Sequence, residues 1–327
     1  MVKEFHQTVW DGRLDEDWRA ILELALHEDL GHQGDWTTKA LVAKDVVGRA
    51  AVVARQPGVV AGLPGVKMVL AAMDPHLRWL PQAEDGRRVD KGGCVGTIEG
   101  PARGLLAAER ILLNFLGRLS GIATLTRQYV DAVAGANARI YDTRKTTPGW
   151  RRLEKYAVRS GGGWNHRGGL NEAVLIKDNH LALGAESAER WGGSSTATPT
   201  VALGVQSADC TRRFTPAEAV VRTRQFVAEH AGDPAMVIEV EVDTLAQLDA
   251  VLPARPDIVL LDNMSPDQLR QAVERRNAFD PAIELEASGG VNLTTVGPIA
   301  QSGVDRISVG ALTHSAVALD LGLDWFS

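Results

Sequence analysis

Two cysteines, Cys94 and Cys210, are all that 327 residues contain, and they lie far apart in no metal-ligand spacing. Neither a disulfide framework nor a cysteine-built zinc site is expected, and both thiols read as inert. No apolar run approaches the roughly 20 residues needed to cross a bilayer, and Met1 to Leu14 mixes polar and charged residues without the apolar block of a signal peptide. The expectation is a cytoplasmic protein with no membrane contact. Positive charge is also scarce: 35 Lys and Arg stand against 41 Asp and Glu, a net charge of -6, with no basic run longer than a pair or two. That balance argues against nucleic acid as a partner. No Walker-type loop or GxGxxG fingerprint occurs, so neither nucleotide hydrolysis nor dinucleotide binding is indicated. With 45% hydrophobic and 23% charged residues, the chain has the composition of a globular protein of about two domains.

The pattern divides near residue 118, giving expected domains 1–118 and 119–314, with the tail 315–327 returning to the first. Asp15 to Leu30 holds Trp18, Ile21, Leu22, Ala25 and Leu26 on one face and predicts a helix. Gly48 to Leu63 reads as β, turning at Pro57-Gly58. A short helix near Val66 to Met73 and short strands near Leu77 to Leu80 and Val95 to Glu99 follow, separated by turns at Asp85-Gly86 and Gly92-Gly93. The apolar-periodic stretch Arg103 to Ala134, interrupted at Ser120-Gly121, predicts two helices or one broken helix.

From there strands and helices alternate. Predicted strands are Ala138 to Asp142, Ala173 to Ile176, Met236 to Val242, Asp257 to Leu261, Ile283 to Ala287 and Arg306 to Val309, and helical segments include Ser265 to Ala278 and Leu293 to Ser302. Such alternation means parallel strands with helical crossovers, in a closed barrel or an open doubly wound sheet. Residues able to do chemistry lie at or just past the end of every strand: Arg144 and Lys145 after the first, Lys177 after the second, Glu241 in the third, Asp262 after the fourth, Ser288-Gly289-Gly290 after the fifth, and Gly310 after the sixth. All strand ends converge at one mouth in a barrel, whereas an open sheet brings together only those at its switch point. Six such positions favour the barrel.

Tyr141 to His180 concentrates cations, namely Arg144, Lys145, His166, Arg167 and Lys177, around the glycines of SGGGWNHRGGL. In an acidic chain this reads as an anion pocket. Each part also has a plainer explanation. Arg144 and Lys145 could sit in a solvated turn, although Thr146-Thr147-Pro148-Gly149 after a strand has the look of a shaped binding loop. The glycines could be a flexible link. Lys177 could pair with Asp178 or Glu172 rather than face an anion. Glu239 and Glu241 alternate with valines and share one face, either functional or on a surface edge. Glu241 and Asp262 read as acceptors for sugar hydroxyls or for a magnesium-bound group. SGGVN (Ser288 to Asn292) and SVGALTHS (Ser308 to Ser315) each lead into a helix, the arrangement that holds phosphate through backbone N–H groups and that barrel enzymes place after their last two strands.

Seven segments carry a family resemblance: EDLGHQGDWTT, AAERILLNFLGRLSGIAT, YDTRKTTPGWRRLEKYAV, GGGWNHRGGLNEAVLIKDNH, IEVEVDTLAQL, IVLLDNMSPDQL and LEASGGVN. Together they resemble quinolinate phosphoribosyltransferase, a type II phosphoribosyltransferase also called nicotinate-nucleotide pyrophosphorylase (carboxylating), over nearly the whole chain. The resemblance implies the α/β fold class, with an N-terminal α/β sandwich domain and an incomplete, TIM-like α/β barrel, in a homodimer or higher oligomer with shared active sites. It implies Mg²⁺-dependent transfer of phosphoribose from PRPP to quinolinate, with loss of CO₂ and pyrophosphate, in NAD biosynthesis. By the same resemblance Arg144, His166, Arg167 and Lys177 bind the quinolinate carboxylates, with the partner subunit's Arg110. Lys145, Glu241 and Asp262 serve the PRPP ribose and pyrophosphate and the chemistry, Glu241 and Asp262 meeting Mg²⁺ mostly through PRPP and water. Ser288, Gly289, Gly290, Gly310 and His314 serve the phosphate region.

One stretch departs from the family as read here: Ala185 to Phe214, including WGGSS, leaves from the strand that ends at Lys177 and is either a surface insert or an active-site cover. Rival functions are a paralogous transferase (nicotinate or molybdenum-transport-associated), a barrel lyase forming a Schiff base on Lys177, and a non-catalytic phosphate-binding protein. A monocarboxylate would not need so many cations, and simple phosphate binding leaves the acids and bases on so many strand ends unexplained.

Overall fold

The computed structural model describes residues 4–184, 213–231 and 236–326; most of the 185–214 stretch, and Cys210, lie outside them. The first helix is Gly12–Leu30, three residues longer than predicted because the Asp11 side chain accepts from the Arg13 and Leu14 amides and so caps it earlier. Leu14, Trp18 and Leu22, four residues apart, bury one stripe.

Four antiparallel strands follow one another across a sheet in the order Leu321–Trp325, Val47–Ala54, Cys94–Pro101, Arg78–Pro81. Leu321–Trp325 was not foreseen as a strand; it lies along Val47–Ala54 with Ala50 opposite Trp325 and Ala54 opposite Leu321. The stretch predicted to break at Ser120-Gly121 is instead one helix, Ala102–Ala132. Glycine costs about 1 kcal/mol in a helix interior, but here it permits a contact: the Val317 carbonyl oxygen occupies the space a Cβ on Gly121 would need. Ser120 is equally committed, since its hydroxyl accepts from the Ala61 amide at 3.0 Å. The pair marks close packing on a continuous helix, and packing overrides propensity.

By its contacts the chain separates into two units, Phe5–Leu170 with Gly289–Ser327 and Asn171–Ser288 with Met1–Glu4. Residue 118, where the sequence pattern divides, falls inside Ala102–Ala132. In the second unit Val174–Ile176, Ile238–Val242, Ile258–Asp262 and Glu284–Ser288 form a parallel ladder, each strand beside the next in the chain. Their crossovers are well signed: Thr244 with Gln247 and Ser265 with Gln268 form capping boxes at the starts of Leu245–Val251 and Pro266–Phe279. Register aligns the strand ends, with Ser288 opposite Asp262 and Val242 opposite Leu261. In the first unit Arg139–Tyr141 and Arg306–Ser308 pair in parallel, Tyr141 opposite Ser308. The helix predicted from Leu293 to Ser302 shrinks to Val296–Ala300, because the Asn292 side chain accepts from the amides of Thr294 and Thr295 and holds that start as a turn.

Candidate active site

In the Phe5–Leu170 unit the site is built on a buried ion pair. Asp142, just past Arg139–Tyr141, is wholly buried; one carboxylate oxygen accepts from Lys155 Nζ and from the His166 amide (2.9 Å), the other from Asn165 Nδ2 (2.7 Å). Burial pushes the Asp142 carboxyl above its ordinary value, while the Lys155 charge and these hydrogen bonds pull it back. Lys155 Nζ also donates to the His166 carbonyl at 2.8 Å. Such a pair is tolerable when every remaining donor and acceptor is met. Here that requirement fixes the backbone on both sides of His166. Gln7 adds a reciprocal pair of hydrogen bonds to the Asn165 backbone, 2.8 and 3.0 Å long. His166 and Arg167 are both buried, and the Arg167 amide donates to His166 Nδ1 at 2.8 Å. An accepting Nδ1 carries no proton, so Nε2 is the ring nitrogen that bears hydrogen.

Arg144 and Lys145 belong to the loop before Arg151–Ser160. Lys145 is exposed and Arg144 half-buried, with a buried Nε that has no hydrogen-bond partner among the described residues. The loop is tied on several sides: Thr313 Oγ1 donates to the Lys145 carbonyl (2.8 Å), Arg151 Nε to Thr146 Oγ1 (3.0 Å), and the Thr147 amide to the Glu154 carboxylate (3.1 Å). Arg151 also donates to the Gly168 carbonyl at 3.1 Å, so one guanidinium joins the Arg144 loop to the His166 loop. Gly310 sits where a Cβ would come within 3.0 Å of Lys145 Cδ and 3.2 Å of His314 Nε2. Lys145, Gly310 and His314 are therefore neighbours. Gly289 and Gly290 have φ of 89° and 62°, the left-handed region that glycine enters freely, so the turn after Ser288 depends on both.

In the Asn171–Ser288 unit, Lys177 follows Val174–Ile176 and pairs with Glu241 on the neighbouring strand. Its partner is thus neither Asp178 nor Glu172. Carboxylate oxygens of Glu241, Asp243 and Asp262 lie within 4.8 Å of one another. Asn263, at φ 52°, donates through Nδ2 to Asp262 (2.7 Å) and through its amide to the Ser288 carbonyl (2.9 Å), orienting the aspartate and joining two strand ends. Glu239 is wholly buried, which removes the surface-edge explanation for it.

Arg110 stands on Ala102–Ala132 with its side chain 66% exposed, 3.3 Å from Glu109, the intrachain ion pair that its neighbour allows. It lines a cleft of about 630 Å³ with Leu24, Phe115, Arg118, Thr147 and Trp150.

Sequence reasoning missed Asp142, Arg151, Lys155, Asp243 and Asn263 as parts of this machinery. Two of them, Lys155 and Asp142, carried a signal. Two consecutive charges, Glu154 and Lys155, fall among apolar helix positions, and Asp142 ends a strand otherwise read for its apolar content.

A model of the quinolinate phosphoribosyl transferase C-terminal domain matches residues 122–208 and 216–324, and one of the N-terminal domain matches 35–120. A nicotinate-nucleotide pyrophosphorylase (carboxylating) of Mycobacterium leprae is 43% identical over 309 residues, 94% of this chain and 96% of its own. A quinolinate phosphoribosyltransferase (decarboxylating) of Nicotiana tabacum is 38% identical over 322 residues, 94% of this chain and 82% of its own. The nicotinate-nucleotide pyrophosphorylase structure from Francisella tularensis superposes with a TM-score of 0.81 at 30% identity, covering 99% of this chain and all of that one. These likenesses carry the α/β fold class read from the sequence, an N-terminal sheet domain and a C-terminal α/β barrel. With both domain models matched and relatives this similar along almost the whole length, the chain belongs to the quinolinate phosphoribosyl transferase family.

Proposed function

We propose that the Arg144–Lys145 loop and the His166–Arg167 pair are the carboxylate-binding and phosphoribosyl-binding elements of a quinolinate phosphoribosyltransferase. The protein transfers phosphoribose from PRPP to quinolinate and releases pyrophosphate and CO₂, giving nicotinate mononucleotide, a pentosyltransferase step in NAD biosynthesis. The observation that carries the site assignment is Arg144: a guanidinium whose buried Nε has no partner among the described residues, beside an exposed lysine on a loop held from three directions. A buried donor left unmet costs about 1–3 kcal/mol, and an anion relieves that. Guanidinium forks match carboxylates, and quinolinate carries two. Arg144, His166, Arg167 and Lys177 take those carboxylates in this reading. Lys145, Ser288, Gly289, Gly290, Gly310 and His314 take PRPP.

Attack by the pyridine nitrogen on the ribose carbon develops oxocarbenium character, which Glu241 and Asp262 stabilise electrostatically. The product ring is a pyridinium, itself the electron sink for the carbanion left as the adjacent carboxylate departs, so positioning is the larger demand on the protein. Glu241, Asp243 and Asp262 offer clustered hard oxygens that fit Mg²⁺. When bound with PRPP the ion would offset pyrophosphate charge. The reading includes a homodimer whose sites are each completed by the partner subunit's Arg110, and a cytoplasmic location; among the described residues no helix is long and apolar enough to cross a membrane.

The test is direct: purified protein with quinolinate, PRPP and Mg²⁺ yields nicotinate mononucleotide and CO₂. Absence of product with folded protein would overturn the assignment. The lyase alternative loses ground because Lys177 is ion-paired with Glu241, and an ammonium so held is a poor starting point for a Schiff base. Borohydride trapping with a carbonyl substrate is expected to label nothing.

A further inference from the structure

Arg151–Ser160 buries two consecutive charged side chains, and only Lys155 supports the His166 segment. The other, Glu154, is 0% exposed at its side chain and points to a different place. Its Oε1 accepts from Arg118 Nη2 (2.6 Å), Arg118 Nε (3.1 Å) and Thr147 Oγ1 (2.7 Å), and its Oε2 from the Thr147 amide (3.1 Å). Arg118, on Ala102–Ala132, uses the rest of its fork on the chain's C-terminal segment: Nη2 donates to the Thr313 carbonyl and Nη1 to the Ala316 carbonyl (3.1 Å). The two side chains thus join four separate pieces of chain: the helix that holds Arg118, the helix that holds Glu154, the loop of Arg144 to Thr147, and the segment through Thr313 to Ala316.

That junction sits at one boundary of the region assigned to phosphate. Thr313, whose carbonyl receives Arg118, sends its own hydroxyl to the Lys145 carbonyl at 2.8 Å. Lys145 and His314, the residues on either side of these bonds, are the ones that flank Gly310. We propose that Arg118 and Glu154 are a positioning pair that sets Lys145 against His314, and so governs the hold on the phosphorylated co-substrate; neither residue reaches the reacting atoms. The proposal rests on the transferase reading above. A buried pair that only staples the fold would bond wherever packing left room, whereas this one spends its donors on the two segments that bear Lys145 and His314. Lysine cannot replace Arg118, because a point charge has no planar fork to serve a carboxylate and two carbonyls at once.

The experiment measures KM for PRPP and for quinolinate, with kcat and Tm, in wild type, Arg118→Lys, Thr313→Val and Thr313→Ser. Arg118→Lys is expected to raise KM for PRPP about tenfold while KM for quinolinate stays within about twofold. Thr313→Val, nearly isosteric, loses the hydroxyl's bonds to the Lys145 carbonyl (2.8 Å) and the Gly310 carbonyl (3.3 Å), both beside the Lys145–His314 contact, and is expected to raise the same KM about fivefold; Thr313→Ser restores it. Wild type that makes no nicotinate mononucleotide defeats the transferase reading itself. If wild type is active and Thr313→Val leaves both KM values within twofold, raises them equally, or lowers Tm alone, the positioning role is overturned. Thr313→Val decides the question even where Arg118→Lys does not fold.

Discussion

Phe5 lies against His166, ring centroids 4.3 Å apart and planes inclined by 28°, with both side chains buried. The Arg306 guanidinium also stands over the Phe5 ring, 5.3 Å from its centroid. A residue near the start of the chain therefore fixes the imidazole that is assigned to a substrate carboxylate. Phe5→Leu keeps the apolar volume but loses the flat contact, which is worth about 0.5–1.5 kcal/mol beyond its area. The expected result is a loss of stability of about 1 kcal/mol and a several-fold rise in KM for quinolinate, with KM for PRPP unchanged. An equal change in both constants would show that the contact serves the fold alone.

Substrate choice follows from the number of groups assigned to the carboxylates. Nicotinate lacks one of quinolinate's two carboxylates, so part of the Arg144, His166, Arg167 and Lys177 set assigned to the carboxylates would lose its substrate anion. Leaving a buried charge without its partner costs roughly 2–5 kcal/mol. Quinolinate is expected to be preferred over nicotinate by a factor of at least about thirty in kcat/KM, measured by competing the two acids at fixed PRPP. Comparable values would sink the carboxylate assignment.

Much of this was legible in the sequence, for identifiable reasons. Parallel strands announce themselves as short apolar runs, and the polar residues that end them, from Lys145 to Gly310, stand out because burial elsewhere excludes them. What remained illegible depends on contacts between distant residues. Gly121 reads as a break until the Val317 carbonyl is known to lie against it. Leu321–Trp325 has too little alternation to read as a strand, yet Val47–Ala54 offers it an edge. Lys177 finds Glu241 only because two strands lie side by side, a pairing that spacing along the chain cannot reveal.

A pH effect is expected away from the site, at Asp85. Its carboxylate accepts from the Gly62 amide (2.9 Å), the Leu63 amide (3.0 Å) and the Tyr156 hydroxyl (2.6 Å). Burial outweighs these bonds and pushes the carboxyl above its ordinary 3.8; burial and the neighbouring carboxylate push the Tyr156 hydroxyl up as well. An acid whose pKa is higher folded than unfolded binds more protons in the native state, so its stabilising share is complete below pH 3.8 and is lost as pH rises through the raised value. Asp85→Asn cannot titrate. Tm of the wild type is expected to decline relative to Asp85→Asn as pH is raised from 3.8 through the raised value, whatever the offset between the two. Curves that run parallel would show that Asp85 is not held protonated by the fold.

Arg110 offers the sharpest test of whether the sites are shared between subunits. Within its own chain it is exposed and ion-paired with Glu109, an arrangement worth about 0–1 kcal/mol and easily given up. An isologous dimer contact presents the same helix from each chain to its partner, so each Arg110 can complete the partner's carboxylate site. The experiment is complementation between Arg110→Ala and Lys145→Ala, each expected to be inactive alone and folded, since exposed charges contribute little to stability. Unfolded together and refolded, random pairing makes half the dimers mixed. In each mixed dimer one site gathers both lesions and the other neither. About a quarter of wild-type activity should therefore return. If mixed dimers form, as an affinity tag on one variant would verify, and activity stays absent, Arg110 acts within its own chain or not at all.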